Sequence, residues 1–393
     1  MCLAGGSLGK ATPSSLFSEV LSSEDEATAT AEAAIAEVET AVATAESAVS
    51  TATEATASAV SAAASAVSAA AVASAAASAA SNLYNFAKSV AEFQGATWFV
   101  VDTDGGTTCK QETMVTNWYY GDTTLAAVYA LSGATATSGY QAFRGCTGLV
   151  TADLSGLDTS AVTTMLSMFY GCSALTSLDL SNLDTGAVTT MQYMFYSCSA
   201  LTSLDLSNLD TSAVTTMQYM FYSCTSMVTL DLSSFDTSNV TNMSGMLRNM
   251  KALESVNVSG WDTSKVTTMY RMLEQSQKLT SLDITGWDTS NVTDMQNMFY
   301  GSAVQTITGV LDMTSVTSCS GMFGGSLTTV SIANLGESLS LSRCPLDYES
   351  VIYLFENAQT VVEGTITLSS TTYALLSEDD IAVATDKGWT VAY

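Results

Sequence analysis

The stretch DTGAVTTMQYMFYSCSALTSLDLSNL at residues 184–209 decides the fold, because it recurs along the chain in nearly the same form. Successive copies begin 26 residues apart, with a shorter step of 24 residues before the last one. Their first residues are Asp158, Asp184, Asp210, Asp236, Asp262, Asp288 and Asp312. A fixed period of this length predicts a solenoid, in which each repeat forms one coil and neighbouring coils bury each other's apolar side chains.

Each repeat contains two apolar patterns. Leu201, Leu204 and Leu206 have the spacing of a leucine-rich-repeat strand, whose alternate side chains point inward. Met191, with Met194 and Phe195 three and four residues later, predicts a single helical turn that faces the core. We expect the methionines to fill irregular gaps in the core rather than to hold a cofactor.

A family resemblance follows from these motifs. MFYGCSALTSLDLSNLDTGAVTTM at residues 168–191, with its successive copies over about 140–335, resembles the 26-residue leucine-rich-like repeat of BspA-like bacterial surface proteins. The resemblance implies a leucine-rich-like solenoid and a non-enzymatic role at a surface or in an interaction. The chain departs from that family in its alanine-rich N-terminal segment and in an N-terminus without the basic and apolar regions of a secretory signal.

The N-terminal segment is dominated by alanine. From Ala27 to Ala80, 27 of 54 residues are Ala, and this stretch contains neither Gly nor Pro, so it predicts a long helix. Ile35, Val42 and Val49 are seven apart and Val60 follows eleven later, which is typical of a coiled coil with a stutter. We therefore expect an anchor at 1–24 and a coiled-coil rod at 25–94, and we favour a parallel homotrimer over a dimer for this rod. A low-complexity linker is the alternative.

Two further segments flank the repeats. Residues 95–139 form a transition, in which WFVVDTDGG and MVTNWYY predict two short strands around a turn. Residues 336–393 predict a cap of helix, strand, helix and strand, at 346–359, 365–368, 378–384 and 389–391. The predicted fold class is α+β: a long N-terminal coiled-coil helix, a leucine-rich-like β-solenoid over 140–335, and a small αβ cap.

The amino-acid composition narrows the range of functions that the protein can have. The chain has no histidine, which excludes His-dependent nucleophilic catalysis and His-ligated zinc. Its net charge of −27 disfavours nucleic acid as a partner, because the phosphate backbone would be repelled. No catalytic, cofactor or metal motif stands out, so we expect no enzyme. We expect free, buried thiols from the four cysteines that recur at the 26-residue period, at Cys146, Cys172, Cys198 and Cys224.

Stacked coils turn repeated aspartates into rows. One row starts the repeats, and a second contains Asp153, Asp179, Asp205, Asp231 and Asp283. Asp-Thr-Ser favours a turn in which the carboxylate accepts the backbone N–H two residues later. Bound calcium is the alternative, although neither row has an EF-hand or a glycine-rich calcium repeat.

The repeats differ most between their two methionines. These positions and the neighbouring basic residues form our candidate ligand face for a glycan or protein: Tyr193, Tyr219, Arg248, Lys251, Lys265, Tyr270, Arg271 and Lys278. Ion pairing across coils is the alternative role for the basic residues, since Arg248 lies one repeat before Glu274.

These observations give one main functional hypothesis. A repeat solenoid behind an alanine-rich rod resembles a bacteriophage tail or head fibre, located at the virion surface. Residues 1–24 would contact other virion proteins, and the solenoid would bind a host surface glycan or protein. The alternatives are a bacterial cell-surface adhesin and, more remotely, a carboxylate-based polysaccharide depolymerase.

Overall fold

A computed structural model describes residues 96–111 and 113–393. These residues form a continuous stack of coils with a cap at each end. The anchor predicted at 1–24 and the coiled-coil rod predicted at 25–94 lie outside the described residues.

An antiparallel sheet covers the first coil. Strand β1 (Trp98–Asp102) pairs with β2 (Thr107–Lys110) on one side and with β3 (Leu125–Ala130) on the other. Strand β3 then pairs in parallel with β5 (Thr151–Asp153), the strand of the following coil. The strand predicted in WFVVDTDGG is confirmed, but the one predicted in MVTNWYY is wrong. That stretch forms turns joined to Ala136 by one bridge from Met114.

The coils stack through short parallel strands. Thr151 lies opposite Ser177, and Thr229 lies opposite Ser255, so the pairing reproduces the 26-residue period. The remaining strands of the stack are β4 (Ala134–Thr135), β6 (Leu157–Asp158), β7 (Ser177–Asp179), β8 (Thr229–Asp231), β9 (Ser255–Asn257), β10 (Ser281–Asp283), β11 (Thr306–Asp312) and β12 (Thr329–Ala333).

The apolar positions of the repeat fill the interior of the stack. Met191, Met194, Phe195 and Leu201 are fully buried, as are their counterparts in the neighbouring coils, so the prediction that the methionines fill the core is confirmed. Successive phenylalanines stack ring on ring, with centroids 5.2 to 5.8 Å apart, in the column Phe143, Phe169, Phe195 and Phe221. Burial of these columns against the next coil supplies the main stabilising free energy.

The turn that carries the methionines is not helical, and the predicted helical turn is wrong. Alternate N–H groups of the turn bond to the following coil: Tyr193 donates to the carbonyl of Gln218 at 3.0 Å, and Phe195 donates to that of Met220 at 2.9 Å. The residue before the second methionine has a left-handed backbone, with φ of 57° at Tyr193. An α-helix needs bonds within the segment, and these N–H groups are already used between coils.

A row of buried threonines forms a second set of links between coils. Each is the middle residue of the Asp-Thr-Ser motif or its variant, and its hydroxyl donates to the backbone carbonyl of the aspartate that begins the next repeat. Thr185 donates to Asp210 at 2.8 Å and Thr211 to Asp236 at 2.9 Å. Both threonines are 1% exposed, so these bonds lie in the interior.

The cysteine column makes a similar link. The thiol of Cys198 donates to the carbonyl of Phe169 and that of Cys224 to Phe195, both at 3.1 Å. Ser276 occupies the equivalent place two coils further on and donates to the carbonyl of Leu247 at 3.0 Å. Burial raises the pKa of the Cys224 thiol to about 12. The free, buried cysteines include Cys319 and Cys344 as well as the four of the column.

A small αβ unit covers the other end. Strands β13 (Leu339–Leu341), β14 (Gly364–Leu368) and β15 (Trp389–Ala392) form a parallel sheet, with helices α1 (Tyr348–Asn357), α2 (Ser370–Tyr373) and α3 (Glu378–Thr385) between them. Helix α1 packs against β12. The four predicted elements are confirmed as α1, β14, α3 and β15, and the structure adds strand β13 and the short helix α2.

The α+β class is wrong for the protein as the structure describes it. The described residues form a β-solenoid, and their three helices contain only ten, four and eight residues, all in the C-terminal cap. A long N-terminal helix is not among the described elements. Over the same residues, the structure contains no helix with the length and apolar character needed to cross a bilayer.

The threonine links predict a specific stability difference. Replacing Thr211 by Val keeps the shape but leaves the Asp236 carbonyl without its buried donor, so Thr211→Val should lower the free energy of unfolding by about 1–3 kcal/mol. The matched control is Thr215→Val, since Thr215 is exposed and water can replace its bond to Thr189. Chemical denaturation measures both, and equal losses would contradict the role of the buried row.

The buried thiols predict resistance to alkylation. Because the thiolate is the reactive form, raised pKa values and burial should keep Cys172, Cys198 and Cys224 unmodified by iodoacetamide in the native protein at neutral pH. Mass spectrometry of peptides from native and denatured samples would compare them. Labelling of these three residues at the same rate in both samples would show that the column is open to solvent.

Candidate functional site

One column on the outside of the methionine turn consists of stacked aromatic and basic side chains. In order along the stack it contains Arg144, Tyr170, Tyr196, Tyr222 and Arg248, each 26 residues after the last. The three tyrosine rings stack with centroids 4.3 Å apart at both steps. The Arg144 guanidinium lies 4.4 Å from the Tyr170 centroid, and that of Arg248 lies 5.2 Å from the Tyr222 centroid. A cation therefore covers each end of the tyrosine stack.

A second, shorter column stands beside the first. Tyr193 and Tyr219 stack on each other with centroids 5.5 Å apart. Their rings meet the first column edge to face, Tyr193 with Tyr196 at 5.9 Å and Tyr219 with Tyr222 at 5.8 Å. The two columns enclose an open groove with a volume of about 480 Å³. We call it the tyrosine groove, and its lining residues are Arg144, Tyr170, Tyr193, Tyr196, Tyr219, Tyr222 and Arg248.

The backbone of the turn sets the direction of the second column. Tyr193 and Tyr219 have left-handed φ values of 57° and 53°, and Gly245 follows them in the next coil with φ of 59°. The Tyr219 ring lies so close to Gly245 that any side chain there would collide with it. Glycine at 245 therefore leaves the room that the Tyr219 ring occupies.

The hydroxyls of Tyr196 and Tyr219 stay protonated at neutral pH. Burial, and then the neighbouring Tyr222 and Tyr170 hydroxyls, raise the pKa of Tyr196 above its usual range. Burial likewise raises the pKa of Tyr219. A protonated phenol both donates and accepts hydrogen bonds. The groove presents a row of phenolic hydroxyls between two cationic ends.

The structure brings together part of the predicted ligand face. Tyr193, Tyr219 and Arg248 line the groove. Arg248 also pairs with Glu274 at 2.6 Å, as the alternative interpretation of cross-coil pairing predicted, and Arg271 lies 3.6 Å from the same carboxylate. Tyr270 lies beside Arg271, whose guanidinium is 4.9 Å from the Tyr270 ring. Two arginines thus share one acidic partner.

The predicted lysines lie elsewhere. Lys278 pairs with Glu254 at 3.1 Å and Lys265 donates to Asn239 at 2.7 Å, both on exposed surface. Lys251 is exposed and does not line the groove. None of these three lysines therefore lies among the residues that line the groove.

Sequence reasoning missed four of the seven lining residues: Arg144, Tyr170, Tyr196 and Tyr222. Their shared 26-residue spacing was available in the sequence. The predicted ligand face rests on the variable positions between the two methionines, whereas this column directly follows the buried phenylalanine.

The aspartate rows form turns. The carboxylate of Asp210 accepts the N–H of Ser212 at 2.9 Å, and that of Asp205 accepts the N–H of Ser207 at 3.0 Å. Hydrogen bonds from these serines hold the pKa of both aspartates below the usual range. Within residues 96–111 and 113–393, the structure places no three acidic or cysteine side chains together as metal ligands.

The stacked parallel coils with one apolar interior define the protein as a repeat β-solenoid. The chain belongs to the family described as "Mycoplasma protein of unknown function, DUF285", which matches residues 137–230 and 226–333, just over half of its length. This membership and the solenoid are compatible with the BspA-like resemblance. Comparison with curated proteins finds no match.

The lowered aspartate pKa values predict loss of stability in acid. A carboxyl group whose pKa is lower in the folded chain than in the unfolded chain stabilises the fold above the unfolded value, about 3.9. That contribution disappears as the pH falls through the folded pKa. The melting temperature should therefore fall as the pH drops below about 4. Asp210→Asn keeps an acceptor without titrating, so it should show a smaller fall.

The melting temperature also tests whether the aspartate rows bind calcium. Because the carboxylates already accept hydrogen bonds within their turns, millimolar calcium and a chelator should leave the melting temperature at neutral pH unchanged. A rise of several degrees with calcium would show that the rows bind it.

Proposed function

We propose that the protein is a non-enzymatic binding protein at the surface of a bacteriophage virion, where its solenoid attaches to a glycan or protein on the host surface. The tyrosine groove carries this proposal. Tyrosine and arginine are the side chains most enriched at positions that dominate binding energy, and here they stand in register over four coil steps.

The lining of the groove favours binding over hydrolysis. Glycoside hydrolysis by the common mechanisms needs a pair of carboxyl groups beside the scissile bond. None of the seven side chains that line the groove is a carboxylate. The nearby Glu274 is already engaged by Arg248 and Arg271 in ion pairs.

The second part of the proposal concerns the surface on which the solenoid is displayed. Membership of the family and the repeat solenoid support a surface repeat protein. The virion setting is supported by the resemblance of the repeat, with its alanine-rich N-terminal segment, to fibre proteins. In this setting we assign contact with other virion proteins to residues 1–24.

A bacterial cell-surface adhesin is the second candidate. The BspA-like resemblance favours it, because those proteins act at the bacterial surface. Both candidates give the solenoid the same task and differ in the body that carries it.

Immunogold labelling distinguishes the two settings. Antibodies raised against the full chain would be applied to purified virions and to whole cells from the same culture. Label on virions supports the proposal, and label on the envelope of cells without virions supports the adhesin. If label stays inside lysed cells only, the protein is displayed on neither surface and both are wrong.

Binding and the absence of catalysis are tested together. Fluorescently labelled full-length protein should bind intact host cells, and Tyr196→Phe should reduce that binding while leaving the melting temperature nearly unchanged. Incubation with host capsule should release no reducing sugar. Release of reducing ends above a heat-denatured control would show that the protein is an enzyme.

A further inference from the structure

We propose that the tyrosine groove binds a short acidic oligosaccharide, in which carboxylated sugars alternate with neutral ones. The inference rests on the binding role proposed above and names the class of ligand. The groove has an arginine at each end and a row of phenolic hydroxyls between them. An acidic oligosaccharide complements both features, because it carries carboxylates and hydroxyls.

The groove offers ring edges rather than ring faces. The faces of Tyr170, Tyr196 and Tyr222 are covered by one another and by the two arginines. One face of Tyr193 and one face of Tyr219 turn toward each other, and the Tyr219 ring also lies against Gly245. A ligand therefore meets phenolic hydroxyls, not an aromatic platform. Hydroxyls donate to and accept from other hydroxyls, and a sugar supplies many of these within a short length.

The ends of the groove add charge. The Arg144 guanidinium lies over Tyr170 and makes no ion pair with a described residue. At the other end, Arg248 and Arg271 share the single carboxylate of Glu274, which leaves one net positive charge. A guanidinium binds carboxylates through two parallel hydrogen bonds, so each end suits one acidic group.

The spacing disfavours an extended peptide. The ring centroids of the first column recur every 4.3 Å, which sets the step between its phenols. Side chains on one face of an extended peptide recur roughly every 6.7 Å, so they would fall out of step with the tyrosines within two coils. A sugar carries hydroxyls on several ring carbons in different directions, so it is not tied to one fixed repeat and can bring a hydroxyl to each phenol.

The charge of the whole chain disfavours a dense polyanion. The protein has a net charge of −27, and the two positive ends act only over about one Debye length, about 8 Å at physiological ionic strength. The ends are four coil steps apart, or roughly 19 Å. A ligand with a few separated carboxylates gains both contacts, whereas one with a charge on every unit meets repulsion from the rest of the surface.

The probes for the test are hyaluronan oligosaccharides, in which every second sugar carries a carboxylate. The same oligosaccharides with methyl-esterified carboxyl groups differ only in charge, and poly-L-glutamate supplies an acidic peptide. Calorimetric titration of the full-length protein should show binding of the acid form, at least about tenfold weaker binding of the ester, and no binding of poly-L-glutamate. The tenfold figure corresponds to one charge-assisted hydrogen bond.

Two variants locate the binding. Arg144→Gln should weaken binding of the acid form about tenfold and so reduce the difference in affinity between the acid form and the ester. The matched control is Lys251→Gln, which removes one positive charge outside the groove and should bind like the unaltered protein. Tyr196→Phe removes one hydroxyl while keeping the stacked ring, and it should weaken binding of both the acid form and the ester. Melting curves confirm that each variant is folded.

The outcomes separate this inference from the function on which it rests. Equal binding of acid and ester, or tight binding of poly-L-glutamate, would overturn the assignment of an acidic oligosaccharide. No binding of any probe by a protein that still binds host cells would also overturn it, and would leave the attachment role in place. Loss of cell binding in Arg144→Gln, but not in Lys251→Gln, would support both.

Discussion

The structure depends on the backbone hydrogen bonds that join each coil to the next in one register. Bonds such as that from the Phe169 N–H to the Met194 carbonyl, at 2.9 Å, fix the offset between neighbouring coils at the length of one repeat. Every residue type that recurs at this period then becomes a straight column. The interior phenylalanines, the hydroxyl links of the threonines and the tyrosine groove are all consequences of that one register.

The same constraint explains which parts of the fold could be predicted from the sequence. The repeat length predicted the solenoid and its apolar columns, because burial follows from apolar residues at fixed places. The C-terminal cap was predicted closely because its signals are local. Asp347 caps helix α1 by accepting the N–H of Ser350, and Ser377 with Asp380 forms a capping box at α3.

Other features could not be predicted because they depend on partners in another coil. Met191, Met194 and Phe195 have helical spacing, yet their turn is held from outside by the following coil and contains a left-handed residue. The inward position of Thr185 was missed for the same reason, since an exposed Asp-Thr-Ser turn has the same local sequence. In the candidate site, Tyr193, Tyr219 and Arg248 were found from local variation. Arg144 and Tyr170 could be recognised as groove residues only from their place in a column of stacked side chains.

The arginine ends of the tyrosine column bear on how such a protein can change. Arg144 and Arg248 mark a beginning and an end, and the tyrosine-bearing repeats between them are close copies of one another. In a solenoid each repeat contacts only its neighbours, so one more copy of residues 184–209 could be accommodated within the stack. Duplication of a single repeat in the gene would lengthen the groove by one tyrosine in each column while keeping both charged ends. The number of repeats therefore sets the length of the groove. Selection on copy number could adjust the length of ligand that the groove accepts without any new contact having to evolve.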